Sequence, residues 1–124
     1  MPLYTITAQA GVLGERGKAD LAEKITAFHS KYAEVPPNWV HVVFHEYAAG
    51  DGFTAGRPAA TAALTLLIRT GRSAEYKREM LRTLWGYMQA ATRAPDEEIV
   101  IGIQEVPASQ AMEMGKIMPD VAPS

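Results

Sequence analysis

The sequence predicts an α+β fold in which a β-α-β unit occurs twice, giving one four-stranded sheet with two helices on one face. Two observations support this prediction. A strand pattern, a helical pattern and a second strand pattern follow one another in residues 1–57, and the same order returns in residues 58–124. A right-handed crossover within each unit would place both helices on the same side of the sheet. With 124 residues, the chain is expected to form a single domain made of these two units.

The first unit begins with Leu3–Ala8, where apolar and polar residues alternate as in a half-buried strand. Apolar residues then recur at helical spacing from Glu15 to Tyr32, and the Pro36-Pro37 pair prevents the helix from continuing. The segment Trp39–Glu46 is rich in β-branched and aromatic residues, which is typical of a strand. The glycine-rich segment Ala48–Pro58 is interpreted as a flexible loop.

The second unit begins with a strand over Ala62–Arg69. Ser73 is a favourable N-cap for the following helix, which Pro95 ends. The last strong strand pattern is Glu98–Glu105. The apolar stripe of this second helix consists of Tyr76, Met80, Leu84, Met88 and Ala91.

The composition excludes several classes of protein. Apolar residues make up 48% of the chain and charged residues 21%, as in an ordinary globular domain. A net charge of −2 with scattered basic residues argues against nucleic-acid and membrane partners. No cysteine is present for a disulfide or a thiolate nucleophile, and the start of the chain does not read as a secretory leader, so we expect a cytoplasmic protein.

A sheet covered by helices on one side only leaves its other face bare. Several strand residues that would point away from the helices are apolar, and such a face is usually covered by a partner. We therefore expect an oligomer.

Pro2 follows Met1 and precedes the first strand. Proline is common at a strand entry for structural reasons alone. If Met1 is removed, however, the Pro2 nitrogen becomes a secondary amine that can accept a proton or attack a carbonyl. A retained Met1 would leave that nitrogen in an amide without basicity. Pro2 is therefore a candidate catalyst whose function depends on processing.

Arg69 and Arg72 lie between the end of a strand and the start of a helix. The free N–H groups of a helix N-terminus favour an anion there, and two guanidinium groups can bind a small carboxylate. A pair of solvated or salt-bridged arginines is the alternative. If the cationic groups adjoin Pro2, they favour its neutral form, as does partial burial.

His41 and His45 share one face of a strand about 13 Å apart, so they do not form a metal pair.

The proline, the strand-helix-strand duplication and the run Ile68–Glu75 resemble the tautomerase superfamily, in particular the branch typified by cis-3-chloroacrylic acid dehalogenase. The resemblance extends over nearly the whole chain. It implies a tautomerase-like fold, a homotrimer, no cofactor and no metal. It also implies Pro2, His29 and Glu113 as catalytic residues, and Arg69 and Arg72 as substrate-binding residues. The sequence departs from the branch at Gly102, where the dehalogenase pattern has a tyrosine.

His29 lies on the apolar stripe of the first helix, where a packing role is the alternative to catalysis. Glu113 lies between Met112 and Met114, so partial desolvation would raise its affinity for protons, and an exposed surface glutamate is the alternative. If the two converge, they could activate a water molecule.

The expected function is cofactor-free tautomerisation of a small enol or 2-oxo acid, in which Arg69 and Arg72 bind the carboxylate and Pro2 moves the proton. The alternative is hydration or dehalogenation of a cis-3-haloacrylate, in which His29 and Glu113 activate water. The missing tyrosine at Gly102 argues against efficient dehalogenation. A third alternative, of another class, is a non-catalytic binding or signalling protein on the same scaffold.

Overall fold

A computed structural model describes residues 1–121. Its helices are α1 (Gly14–Ala33) and α2 (Ala74–Thr92). Its strands are β1 (Leu3–Gln9), β2 (His41–Tyr47), β3 (Phe53–Thr54), β4 (Arg57–Pro58), β5 (Ala62–Arg69), β6 (Ile99–Val106), β7 (Met112–Glu113) and β8 (Lys116–Ile117). Within the described residues, neither helix has the length and apolar character needed to cross a membrane.

The four long strands form one sheet in the order β2-β1-β5-β6. β1 pairs in parallel with β2, β5 pairs in parallel with β6, and the two halves meet through the antiparallel pair of β1 and β5. A helix connects the strands of each parallel pair. The predicted duplication of a β-α-β unit is therefore confirmed, and so are the four-stranded sheet and its two helices.

Alternate residues of the two central strands form the core. Tyr4 and Ile6 of β1 and Leu64 and Leu66 of β5 are almost completely buried. Both helices pack on this face of the sheet. Their buried residues recur at a spacing of about one turn, so these residues lie along one side of each helix. The buried helix residues are Leu21, Ile25 and His29 in α1, and Met80, Leu84 and Met88 in α2.

The helix boundaries agree closely with the sequence patterns. Ser73 caps α2 as predicted, because its Oγ atom accepts a hydrogen bond of 3.1 Å from the backbone N–H of Tyr76. The start of the second strand was predicted too early. Trp39 belongs to a short 3₁₀ turn, Pro37–Trp39, and β2 begins only at His41.

The interpretation of residues 48–58 as a flexible loop was wrong, because they contain the hairpin of β3 and β4. A matching hairpin of β7 and β8 follows β6. Both turns have two residues of positive φ, at 52° and 75° in Ala55-Gly56 and again at 52° and 75° in Met114-Gly115. Positive φ at both positions is the mark of a type I′ turn. Each half of the chain therefore ends in the same small hairpin.

The sheet face opposite the helices is incompletely covered in the single chain. Val43 on one edge strand and Val100 on the other are 43% and 66% exposed, respectively. Gly102 lies on this same face, opposite Thr65 of β5. These exposed apolar positions support the expectation that another chain covers the face.

Candidate active site

The N-terminus and the second hairpin meet at one end of the sheet. The amine of Met1 forms an ion pair with Glu113 Oε1, and the two side chains are only 13% and 15% exposed. Pro2 is fully buried. Its carbonyl accepts a hydrogen bond of 3.2 Å from the N–H of His41. The hairpin of β7 and β8 thus brings Glu113 to the residue that precedes Pro2.

Burial and a nearby cation act on the protonation of the N-terminal amine. Burial is the main cause that lowers the pKa of the Met1 amine from 8.0 to about 6, and the charge of Arg69 adds to it. The paired carboxylate of Glu113 opposes this change, because it stabilises the protonated amine. An amine in this environment is suited to accept a proton near neutral pH.

Arg69 ends β5, and Arg72 follows it just before α2. The Nη1 atom of Arg69 donates a 2.5 Å hydrogen bond to the carbonyl of Pro119. The guanidinium carbon of Arg72 lies 4.8 Å from the centre of the Tyr76 ring. Within residues 1–121, no carboxylate forms an ion pair with either guanidinium. Burial, followed by the charge of Arg72, lowers the pKa of Arg69, while Asp120 opposes this change.

His29 is buried, with 3% of its surface exposed. Its Nδ1 atom lies 2.6 Å from the phenol oxygen of Tyr4. Burial is the main cause that lowers the pKa of His29 from 6.5 to about 4, and the charges of the Met1 amine and Arg72 act in the same direction. His29 is therefore neutral at pH 7, and its proton position depends on the bond to Tyr4.

The duplicated halves differ at this histidine. His29 is the third buried residue of α1, and Met88 occupies the corresponding place in α2. The hairpins differ too. Thr54 in the first hairpin donates to Glu98 at 2.6 Å, together with Thr61, whereas Glu113 in the second reaches the N-terminus. His29 and Glu113, whose places are taken by Met88 and Thr54 in the other half, thus distinguish one end of the sheet from the other.

Met1 separates two cavities. The first is small, about 20 Å³, which is room for about one water molecule. The second has a volume of about 500 Å³ and opens on the bare face of the sheet, beside Leu3, Trp39 and Glu113. The first is lined by Met1, His29, Ala33, Val35, Ile68, Arg69, Arg72, Tyr76, Met80 and Val121. Met1 lines both cavities. It therefore lies between Glu113, which lines the second cavity, and His29 and the two arginines, which line the first.

Two residues of this site were not identified from the sequence. Tyr4 is the partner of His29, and Tyr76 lines the smaller cavity. Each was assigned only to an apolar pattern of a strand or helix. One signal was available for Tyr4, because a phenol two residues after Pro2 and on the buried face of β1 needs a hydrogen-bond partner.

Gly102, where the sequence departs from the dehalogenase pattern, does not line the smaller cavity. Gly102 is exposed, and a Cβ atom added there would have no heavy-atom neighbour within 4 Å. A side chain at this position would project from the bare face, toward any chain that covers it.

His41 and His45 lie on exposed positions of β2. Among residues 1–121, no group of three His, Asp or Glu side chains could hold a metal ion.

Several solved structures have the same fold as this chain. N1, described as a member of the cis-3-chloroacrylic acid dehalogenase family, is 28% identical, with a TM-score of 0.87 over 96% of this chain and 85% of its own. Native Ps01740 is 37% identical, with a TM-score of 0.85 over 90% of this chain and 99% of its own. A fused 4-OT, described as a wild-type symmetric trimer, is 20% identical, with a TM-score of 0.83 over 94% of each chain. The last likeness shows the fold alone.

No curated protein sequence matches this chain. The sequence model of the Tautomerase_3 family, described as "Putative oxalocrotonate tautomerase enzyme", matches residues 1–123. This match extends over the whole described structure and agrees with the duplicated β-α-β architecture. The chain therefore belongs to the Tautomerase_3 family of the tautomerase superfamily.

Proposed function

We propose that this protein is a cofactor-free tautomerase of a small enol or 2-oxo acid. In this proposal, Met1 is removed and the amine of Pro2 is the general base and acid. Arg69 and Arg72 bind the carboxylate of the substrate. The observation that supports it best is that the N-terminal amine, here that of Met1, has a lowered pKa and that Met1 shares a cavity with two guanidinium groups that lack a carboxylate partner among residues 1–121.

The carboxylate provides the binding energy. Two adjacent guanidinium groups repel one another, and the lowered pKa of Arg69 reflects both burial and this repulsion. A bound carboxylate offsets the repulsion and accepts charge-assisted hydrogen bonds from both side chains. The substrate is then oriented with its enol group toward the amine of Pro2, which is the N-terminus once Met1 is removed.

The reaction is a proton shift without any other reactant. The neutral Pro2 amine removes the proton of the enol hydroxyl, and the resulting ammonium donates a proton to the carbon at the far end of the double bond. The carbon–oxygen bond becomes a carbonyl as the carbon–carbon double bond becomes single. An amine pKa near the working pH suits both steps.

Removal of Met1 would have two consequences for the site. It would expose the Pro2 nitrogen as a secondary amine, and it would empty the space between the two cavities that Met1 now separates. The smaller cavity alone, at about 20 Å³, is too small for an organic acid. Met1 removal is therefore required both for the chemistry and for substrate entry.

A second candidate function is hydration or dehalogenation of a cis-3-haloacrylate. One observation favours it: the Oε2 atom of Glu113 is buried and has no hydrogen-bond partner among residues 1–121. That oxygen could accept a proton from a water molecule that adds to the β-carbon, while a cationic Pro2 protonates the α-carbon. The halohydrin formed would then lose a proton and a halide ion to give a 3-oxo acid.

We also propose that the protein is a homotrimer. The exposed apolar residues of the bare sheet face support this, as does the trimeric state described for a relative with the same fold. A cytoplasmic location remains a prediction from the sequence.

The decisive experiment begins with the mass of the purified protein, which reports whether Met1 is present. Conversion of a phenylenolpyruvate-like enol and of cis-3-haloacrylate is then followed by ultraviolet absorbance. We expect rapid ketonisation by the processed protein, and loss of most of this activity in Pro2→Ala, whose N-terminus is a primary amine. A homogeneous form that retains Met1 is a second comparison, because it lacks the free Pro2 amine and keeps Met1 between the two cavities.

Full activity in the Met1 form or in Pro2→Ala would contradict the assignment of Pro2 as the base. A native protein that keeps Met1 and converts neither substrate would favour the third alternative, a binding or signalling protein. Rapid haloacrylate turnover with slow ketonisation would favour the second candidate function.

A further inference from the structure

The hydroxyl of Tyr76 is buried, yet it has no hydrogen-bond partner among residues 1–121. Tyr76 lies in the first turn of α2 and lines the smaller cavity together with His29, Arg69 and Arg72. Buried hydroxyl groups are normally paired, because an unpaired one has lost its water without replacement. This hydroxyl therefore requires an explanation.

The rest of Tyr76 is held firmly. Its backbone N–H donates to Ser73 Oγ at 3.1 Å, and its carbonyl accepts a hydrogen bond of 2.9 Å from the hydroxyl of Tyr32. The ring packs against Tyr32, with centroids 4.5 Å apart, and against the guanidinium of Arg72 at 4.8 Å. The two hydrogen bonds fix the backbone of Tyr76 and the two ring contacts hold its side chain, so the hydroxyl cannot turn out to solvent without loss of the ring contacts.

The group is a donor rather than an anion at neutral pH. Burial is the largest influence on the pKa of Tyr76 and raises it, while the charge of Arg72 acts against this rise. A neutral phenol beside the proposed carboxylate site offers one O–H to a ligand.

We propose that Tyr76 determines substrate specificity by donating a hydrogen bond to the oxygen on C2 of a 2-oxo or enol acid whose carboxylate is bound by Arg72 and Arg69. This proposal rests on the proposed function and names the substrate group that the two arginines do not recognise. A 2-oxo acid has its carboxylate and carbonyl oxygens on adjacent carbons, so donors on neighbouring side chains can bind both. A simple carboxylic acid leaves the Tyr76 hydroxyl unpaired.

The test compares the binding of two small acids, pyruvate and propionate, of which only pyruvate has an oxygen on C2. The protein is used without Met1 and in the oligomeric state in which it is isolated. Tyr76→Phe removes the hydroxyl and keeps the ring. We expect pyruvate binding, measured by calorimetry, to weaken by roughly three- to tenfold, the effect of one neutral hydrogen bond. Propionate binding should change by less than about twofold, since that acid has no C2 oxygen to pair.

Tyr87→Phe is the matched control, because it removes a phenol from the same helix outside the smaller cavity. It should leave the binding of both acids unchanged. Thermal unfolding adds a second readout. Tyr76→Phe should unfold at the same temperature as the wild type or higher, because the hydroxyl removed has no partner among residues 1–121. A purely structural hydroxyl would instead lower that temperature.

Equal weakening for both acids would mean that Tyr76 shapes the pocket or binds the carboxylate, and would overturn the proposal. So would unchanged pyruvate binding in Tyr76→Phe, or failure of the wild type to prefer pyruvate over propionate. The binding assay does not depend on turnover. Selective loss of pyruvate binding without any Pro2-dependent activity would therefore support the role of Tyr76 while refuting the proposed tautomerase.

Discussion

The phenol oxygen of Tyr4 and the Nδ1 atom of His29 are 2.6 Å apart in the core of the protein. Burial raises the pKa of Tyr4 strongly, so its phenol stays protonated and needs an acceptor. Nδ1 of His29 is the acceptor that the described structure provides. If Tyr4 donates to Nδ1, the neutral ring carries its proton on Nε2. His29 is then suited to donate a hydrogen bond rather than to remove a proton.

The first prediction tests this proton position. Tyr4→Phe should let the neutral imidazole of His29 redistribute its proton between Nδ1 and Nε2, which nitrogen NMR of the ring detects directly. Loss of the partner should also reduce the free energy of unfolding by about 1 to 3 kcal/mol, because Nδ1 stays buried without a hydrogen bond.

Tyr47→Phe is a suitable control for that measurement. It removes a strand phenol whose hydroxyl donates at 2.5 Å to the carbonyl of Thr61, at the other end of the sheet. The control should leave the His29 nitrogen signals unchanged. An unaltered His29 spectrum in Tyr4→Phe would mean that Tyr4 does not select the tautomer.

The second prediction concerns stability against pH. The pKa of His29 is about 4 in the folded protein and 6.5 as its ordinary value. The unfolded chain therefore binds the extra proton first, and the folded state loses stability as pH falls from 6.5 toward 4. By linkage this shift is worth about 3 kcal/mol. Chemical denaturation at several pH values measures the loss.

His29→Asn is the comparison for this experiment, because an amide oxygen can still accept the bond from Tyr4 but does not titrate. The difference in unfolding free energy between wild type and His29→Asn should change between pH 6.5 and 4 and stay flat above that range. The groups that act on His29 are the Met1 amine, Arg72 and Tyr4. A constant difference across the range would show that His29 is not kept neutral by the fold.

The third prediction concerns the carboxylate site. Replacing Arg69 or Arg72 with alanine should mainly raise KM, by roughly tenfold to a hundredfold, as one charge-assisted hydrogen bond is lost. Lysine should restore only part of the affinity, because an ammonium cannot bind both carboxylate oxygens in parallel. Substrates without a carboxylate should hardly respond to either change. Similar losses on both kinds of substrate would contradict carboxylate binding.

The fourth prediction separates tautomerisation from water addition. Tautomerisation needs the amine and the carboxylate site, so Glu113→Gln and His29→Ala should retain much of that activity. Addition of water also needs groups that orient it and accept its proton, and losing one of them costs on the order of 10² to 10⁴ in rate. Kinetics of both reactions in the two variants measure this contrast. Wild-type dehalogenation that is fast, and is abolished by Glu113→Gln, would favour the second candidate function.

Gly102→Tyr extends the same measurement. We expect the wild type to turn over haloacrylate much more slowly than an enol, and Gly102→Tyr to raise haloacrylate turnover. Because Gly102 faces away from the helices, this gain should depend on the assembled oligomer, with the new phenol supplied to a neighbouring chain. A gain that persists in an isolated monomer would contradict the placement of this residue.

The sequence by itself determined the architecture of this protein. The alternation in Leu3–Ala8, the apolar run in Ala62–Arg69 and the helical spacing in α1 and α2 are local signals, and short-range geometry converts them directly into strands and helices. The cap at Ser73 is equally local. The two hairpins were not predicted, because their strands have only two residues each and are too short to show a periodic pattern.

The tertiary structure alone decided how the site residues are paired. The contact of Met1 with Glu113 and that of Tyr4 with His29 join residues far apart in sequence. The lowered pKa values of the N-terminal amine and His29 arise from burial by several elements at once, as does the lack of a partner for the Tyr76 hydroxyl among residues 1–121. Burial is a property of the packed chain, so no local pattern could have indicated which of these groups is neutral, which is charged and which lacks a partner.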